Sequence, residues 1–202
     1  MKSLYDFIIK PVGSRYENEI KVGDKTLVLN TKIESFKSVN NLAVVIETPK
    51  AFKTNIKKGD IVLIHHNVFR VFYDMKGVKK NSRSYFKDDL YFCAADQIYL
   101  YKNTGHWKTF GNRCFVMPLK NEDSLVNDKE QKLIGVLKYG NKTLEDLNIN
   151  PGDTVGFTPN SEWDFVVDDQ RLFCMKSNDI VIKYEHKRNQ IEYNPSWAHR
   201  DS

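Results

Sequence analysis

Three short segments occur twice along this chain in the same order, and that duplication limits the fold more than any other feature. Phe7-Ile-Ile-Lys-Pro11 returns as Cys114-Phe-Val-Met-Pro118. Asn55-Ile-Lys-Lys-Gly-Asp-Ile-Val62 returns as Asn148-Ile-Asn-Pro-Gly-Asp-Thr-Val155. Leu90-Tyr-Phe-Cys-Ala-Ala-Asp-Gln-Ile98 returns as Leu172-Phe-Cys-Met-Lys-Ser-Asn-Asp-Ile180. One such echo is within reach of chance, but three in the same order mark an internal repeat. The middle pair has a clear physical sense. Gly-Asp after Lys or Pro is a tight turn, because glycine reaches positive φ without strain and aspartate bonds its own backbone.

The segments themselves read as strands. Apolar runs are short and rich in Val, Ile, Phe and Tyr: Asp6 to Ile9, Leu42 to Ile46, Ile61 to Ile64, Phe69 to Tyr73, Cys114 to Met117, Leu133 to Leu137, Thr154 to Phe157, Phe165 to Val167 and Ile180 to Ile182. Gly, Pro, Asn or Asp bounds each of them. No helical stripe of useful length is present. The expected class is all-β, as two tandem small β-barrel domains over residues 1–102 and 112–186, with a polar C-terminal tail over 187–202. The boundary falls within Tyr101 to Asn112, and a final strand in each copy would close its barrel and remove two exposed edges. Asp88-Asp89 and Asp168-Asp169 read as hairpin tips.

Composition excludes several function classes. The net charge of +5 in 202 residues does not require a nucleic-acid partner. The one concentrated basic stretch, Lys76 to Arg83, reads as a solvated loop. An oligonucleotide-binding barrel would need that stretch beside exposed aromatics such as Tyr73 and Tyr85. No apolar run approaches the ~18 residues of a membrane span, and the N-terminus is too short in apolar residues for a signal peptide. Cys93, Cys114 and Cys174 form no paired motif and sit in apolar runs, as buried free thiols of a reducing compartment do. The cytoplasm is the expected location. No catalytic, cofactor-binding or metal-binding set appears. His65 and His66 are adjacent, so on a strand they would face opposite ways; His106, His186 and His199 have no ligand spacing, and the histidines read as solvent-facing or turn residues. No nucleophile elbow or phosphate-cradling loop is present. Trp163 and Trp197 fit surface anchoring and local packing equally. The chain does not read as an enzyme.

The order VKxGDxV … LxxMxxxDIxxI, present here as Ile149-Asn-Pro-Gly-Asp-Thr-Val155 and Leu172 to Ile180, resembles the second half of a GroES-type co-chaperonin subunit. Ile134-Gly-Val-Leu137 is similar to the family's strand before its roof loop. The resemblance extends over about nine tenths of the chain, up to Glu185, and implies a homo-oligomeric ring that caps a chaperonin ring and assists folding of a non-native client. In that family an apolar tripeptide in a long mobile loop docks on the chaperonin. The long polar interval Gly13 to Asn41 contains Thr26-Leu-Val-Leu-Asn-Thr31, and the resemblance assigns Leu27, Val28 and Leu29 as the docking residues. Three adjacent apolar side chains in a disordered loop would bury in a partner groove at a cost in ordering.

A second reading of the same residues stays open: Leu27 to Leu29 as one more strand, paired in a hairpin with Ile20 to Val22. In the second copy the equivalent interval, Lys120 to Lys132, holds only the reduced Ser124-Leu-Val-Asn127. The roof loops, Thr48 to Thr54 and Tyr139 to Leu147, are short. The first copy carries an insertion around Asp74 to Asp89. These departures point to a divergent member of the kind phages encode, acting in the host cytoplasm on a client such as a capsid protein. The alternative is a structural or assembly protein, virion-associated for example, that keeps the barrel without binding chaperonin.

Overall fold

The computed structural model describes residues 2–16, 19–22, 25–28, 39–121, 129–185 and 191–198. Among the described residues the protein is all-β with one short α-helix, and the chain divides into two compact units, Met1–Trp107 and Lys108–Ser202.

The main sheet of the first unit is built from β1 (Phe7–Pro11), β4 (Leu42–Glu47), β5 (Ile61–Ile64), β8 (Tyr85–Lys87), β9 (Leu90–Cys93), β10 (Ile98–Asn103) and β11 (His106–Thr109), the last of which runs across the boundary between the units. Their order is β11-β10-β5-β4-β1-β9-β8. Two small hairpins form sheets of their own: β2 (Glu19–Val22) with β3 (Lys25–Val28), and β6 (Val71–Tyr73) with β7 (Lys79–Asn81). The core is apolar and closely packed. Phe7, Ile9, Val45, Val62, Phe69 and Tyr91 are fully buried, and the Phe69 and Tyr91 rings meet edge to face at 4.8 Å.

In the second unit β12 (Arg113–Lys120), β13 (Glu130–Tyr139), β14 (Thr154–Phe157), β15 (Trp163–Val167), β16 (Gln170–Lys176) and β17 (Ile180–Lys183) pair in the order β15-β16-β12-β13-β14-β17. Read from the other end and without β11, the first sheet has the same order. The sheets also share their turn chemistry. Gly59 and Gly152 have φ of 91° and 92°. The Gly59 amide donates to Val45 O and that of Gly152 to Leu137 O, both at 2.8 Å. Asp60 Oδ2 accepts from the Lys57 amide and Asp153 Oδ2 from the Asn150 amide, again both at 2.8 Å. Gln97 Oε1 takes the Ala94 amide just as Asp179 Oδ2 takes that of Lys176, each at 3.0 Å. The echoed segments are thus echoed in hydrogen bonds.

Closure is a different matter. Among the described residues the ladders leave open edges at β8 and β11 and at β15 and β17, and no closed barrel forms. The last strand of each echo, β10 or β17, pairs back on β5 or β14 instead of reaching the opposite edge.

Several local expectations change. A helix is present: α1 (Lys142–Asp146), within the second roof loop. Asn141 Oδ1 caps it through the Leu144 amide at 3.2 Å, and Leu144 is fully buried beneath it. Five residues with one buried leucine leave no stripe for sequence to display. Lys79 and Lys80 stand on β7, so the basic stretch is in part a strand and not simply a loop. Part of the tail is structured: Lys120 N donates to Ile191 O at 2.8 Å and Tyr193 N to Pro118 O at 2.9 Å, adding a short pairing to β12. Arg171 lies over both the Phe173 and Trp197 rings, at 4.9 and 5.5 Å. Trp197 and Trp163 both remain exposed. The paired aspartates do form hairpin tips, all four with positive φ, between β8 and β9 and between β15 and β16. Burial pushes all three thiols upward, those of Cys114 and Cys174 to about 12. No helix among the described residues is long and apolar enough to cross a membrane.

His65 and His66 stand at a turn, as the sequence reads them, and not on a strand. β5 stops at Ile64, and His65 caps a 3₁₀ turn over His66–Val68 by accepting the Asn67 amide at 3.1 Å. The two rings stack at 4.4 Å. Burial, then the charges of His65 and Arg70, lower the His66 pKa from 6.5 to about 4. The unfolded chain therefore binds this proton first as pH falls, and the neutral folded form loses its advantage between 6.5 and about 4. Urea unfolding midpoints are expected to drop across that window, and His66→Asn is expected to flatten the drop.

Candidate partner-docking site

The long interval of the first unit leaves the sheet through a tightly bonded neck. At its exit Val12 N donates to Leu42 O at 3.0 Å, and Asn40 N donates to Arg15 O at 3.1 Å. Asn40 then ties both sides together. Its Nδ2 donates to Val12 O at 2.6 Å and to Ser14 O at 2.9 Å, while its Oδ1 accepts the Leu42 amide at 2.8 Å. Asn40 is 4 % exposed, yet both ends of its side-chain amide are satisfied, so burying it costs little. Tyr16 and Val39 form the next bridge along the neck.

Arg15 and Tyr16 fix the neck to the body. Arg15 Nε donates to Phe69 O, Nη2 to Arg70 O at 3.1 Å and Nη1 to Asn81 Oδ1 at 2.7 Å. The same guanidinium lies 5.3 Å from the centre of the Tyr91 ring. Tyr16 OH accepts the Val71 amide at 2.6 Å. A planar fork suits this convergence of acceptors, and lysine has no equivalent geometry.

Beyond the neck stands the β2–β3 hairpin, with Glu19 opposite Val28, Ile20 opposite Leu27 and Val22 opposite Lys25. Of the three docking residues named from sequence, Leu27 and Val28 are on β3 and paired, while Leu29 lies outside the described residues. The hairpin is a two-stranded sheet separate from the main one, so both of its outer edges are without a ladder partner among the described residues. The reduced segment of the second unit, Ser124 to Asn127, also lies outside the described residues.

Arg15, Tyr16 and Asn40 went unnoticed in the sequence. The available signals were weak: a lone base after Gly13-Ser14, and an Asn40-Asn41 pair just ahead of a strand, where an Asx side chain tends to bond nearby backbone. No group of His, Cys, Asp or Glu among the described residues is arranged to hold a metal ion. What the site offers chemically is a braced neck and, beyond it, a two-stranded hairpin whose outer edges are unpaired among the described residues, suited to recognition by backbone edge. The chain matches no protein-family model and no curated protein.

Proposed function

We propose that the chain is a fused pair of GroES-like domains acting as a co-chaperonin, with the β2–β3 hairpin and the residues just after it as the element that docks on a chaperonin ring. The reading is supported most by the two sheets, whose strand order is the same once β11 is set aside and which carry the same Gly-Asp turn and the same strand-ending cap. It is supported next by connection length: 30 residues, 12–41, separate β1 from β4, against nine, 121–129, between β12 and β13. Such a protein performs no chemistry. It would close the chamber of a separately supplied, ATP-driven chaperonin around a non-native client, and ring assembly would follow from the family resemblance. A phage-encoded member acting in a host cytoplasm on a capsid protein fits the short roof loops.

Pairing of Leu27 and Val28 in a hairpin favours a second reading, in which the protein is a structural or assembly component that keeps the architecture without chaperonin binding. Co-sedimentation with a chaperonin ring in saturating ATP separates them. The co-chaperonin reading predicts binding that Leu27→Ser/Val28→Ser/Leu29→Ser abolishes. Absence of binding by the wild type at micromolar concentrations would leave the structural reading standing.

A further inference from the structure

The inserted segment of the first unit carries a surface that docking on a chaperonin does not use. Twenty residues, 65–84, separate β5 from β8, whereas five, 158–162, separate β14 from β15. The extra chain folds as the β6–β7 hairpin and runs directly into β8. Its charge is concentrated. From Arg70 to Lys87 there are six basic side chains and one acidic, Asp74, a local excess equal to the +5 of the whole chain. Asp74 Oδ1 accepts the amides of Lys76 and Val78, both at 2.9 Å, and its Oδ2 lies 3.8 Å from Lys80 Nζ, a solvent-accessible pair that a phosphate can exchange for. Asp88 and Asp89 close the far end of the ribbon.

Aromatic rings alternate with these charges. Phe72 pairs with Lys80 across the hairpin and Tyr73 with Lys79. Phe72 and Tyr73 are each 42 % exposed, and Phe86 is 40 % exposed on the next strand, with Lys87 Nζ 5.5 Å from its ring centre. Exposed rings are costly to leave in water, and cations interleaved with them suit a ligand that is both polyanionic and flat-faced. We propose that the β6–β8 ribbon binds single-stranded nucleic acid, with lysines on successive phosphates and Phe72 and Tyr73 stacking bases. The opposite faces of a strand carry Phe72 and Tyr73, so a flexible single strand can follow the ribbon where a stiff duplex cannot. The corresponding part of the second unit lacks this segment, so the activity belongs to the first.

Fluorescence anisotropy of a labelled 20-mer of deoxythymidine tests this on the full chain. Expected is micromolar binding that weakens with salt, with a log–log slope of roughly −2 for about three phosphate contacts. Lys76→Gln/Lys79→Gln/Lys80→Gln should weaken binding by about tenfold or more and flatten that slope. Phe72→Ser should lose about tenfold with the slope unchanged. Lys57→Gln/Lys58→Gln, on an exposed turn elsewhere in the unit, should change neither, and near-ultraviolet circular dichroism should show every variant folded. No binding by the wild type would overturn the proposal, as would equal losses in the Lys57/Lys58 control. Retention on phosphatidylserine vesicles without oligonucleotide binding would overturn it in favour of a membrane surface.

Discussion

Gly135→Ala is expected to destabilise the second unit by about 3 kcal/mol, at the upper end of what overpacking costs. Gly135 sits in mid-sheet, opposite Pro118 on one side and Val155 on the other. A Cβ there would lie 2.4 Å from Val116 Cγ1 and 2.6 Å from Met117 O. Rotating the valine could relieve the first contact. The second is to backbone in a paired strand, so β12 and β13 must separate. Gly156→Ala provides the comparison, since its nearest neighbour would be Ile182 Cβ at 3.2 Å, on the outermost strand β17, which can give by a few tenths of an ångström. Hydrogen exchange should show protection lost through β12 to β16 in the first variant and nearly retained in the second. Equal, small effects would mean that the sheet is looser around Gly135 than its geometry states.

Arg15→Met is expected to cost the first unit about 3 kcal/mol, because the loss strands acceptors as well as removing a donor. Phe69 O, Arg70 O and Asn81 Oδ1 all receive hydrogen bonds from this one guanidinium. Methionine can cover the Tyr91 ring but donates nothing. Arg15→Lys should recover little, since an ammonium cannot reach acceptors spread across a planar fork. Partial solvent access to the site limits the figure, and water will reach some of the freed carbonyls. The informative signal is local: exchange of the Val12, Asn40 and Val71 amides should accelerate well before global unfolding. On the co-chaperonin reading proposed above, loosening this neck should also weaken chaperonin binding more than the stability loss accounts for, because Tyr16 and Val39, from which the interval departs, would no longer be held together.

Much of the fold could be read in advance, and the reason is local. Ile61 to Ile64, Cys114 to Met117 and Thr154 to Phe157 are β-branched or aromatic runs closed by turn residues, and each is a strand where expected. The Gly-Asp turns and the double-aspartate hairpins declare themselves because their conformations need those residues. What escaped depends on partners remote in sequence. Whether β10 and β17 close a barrel is decided by which edge they meet, and β10 ends up between β5 and β11. Helix α1 rests on one cap and one buried leucine. Arg15 reaches acceptors 54 to 66 residues away, and nothing in the sequence around Gly13 announces them. His66 reads as a turn or solvent-facing residue and does stand in a 3₁₀ turn; its partial burial beside His65 and Arg70 is what the sequence around it does not declare. Of the residues that the resemblance names for docking, the sequence left open loop or strand, and the backbone pairs Leu27 and Val28 in a hairpin.

The central claim, that this chain caps a chaperonin through the hairpin beyond its neck, is tested most directly by electron cryomicroscopy of a chaperonin ring mixed with the protein and ATP. The account predicts rings closed at one or both ends by added density, joined to the chaperonin at points traceable to residues 19–29. Rings that stay open with the protein in excess, or density joined through some other surface with the hairpin standing free, would contradict it.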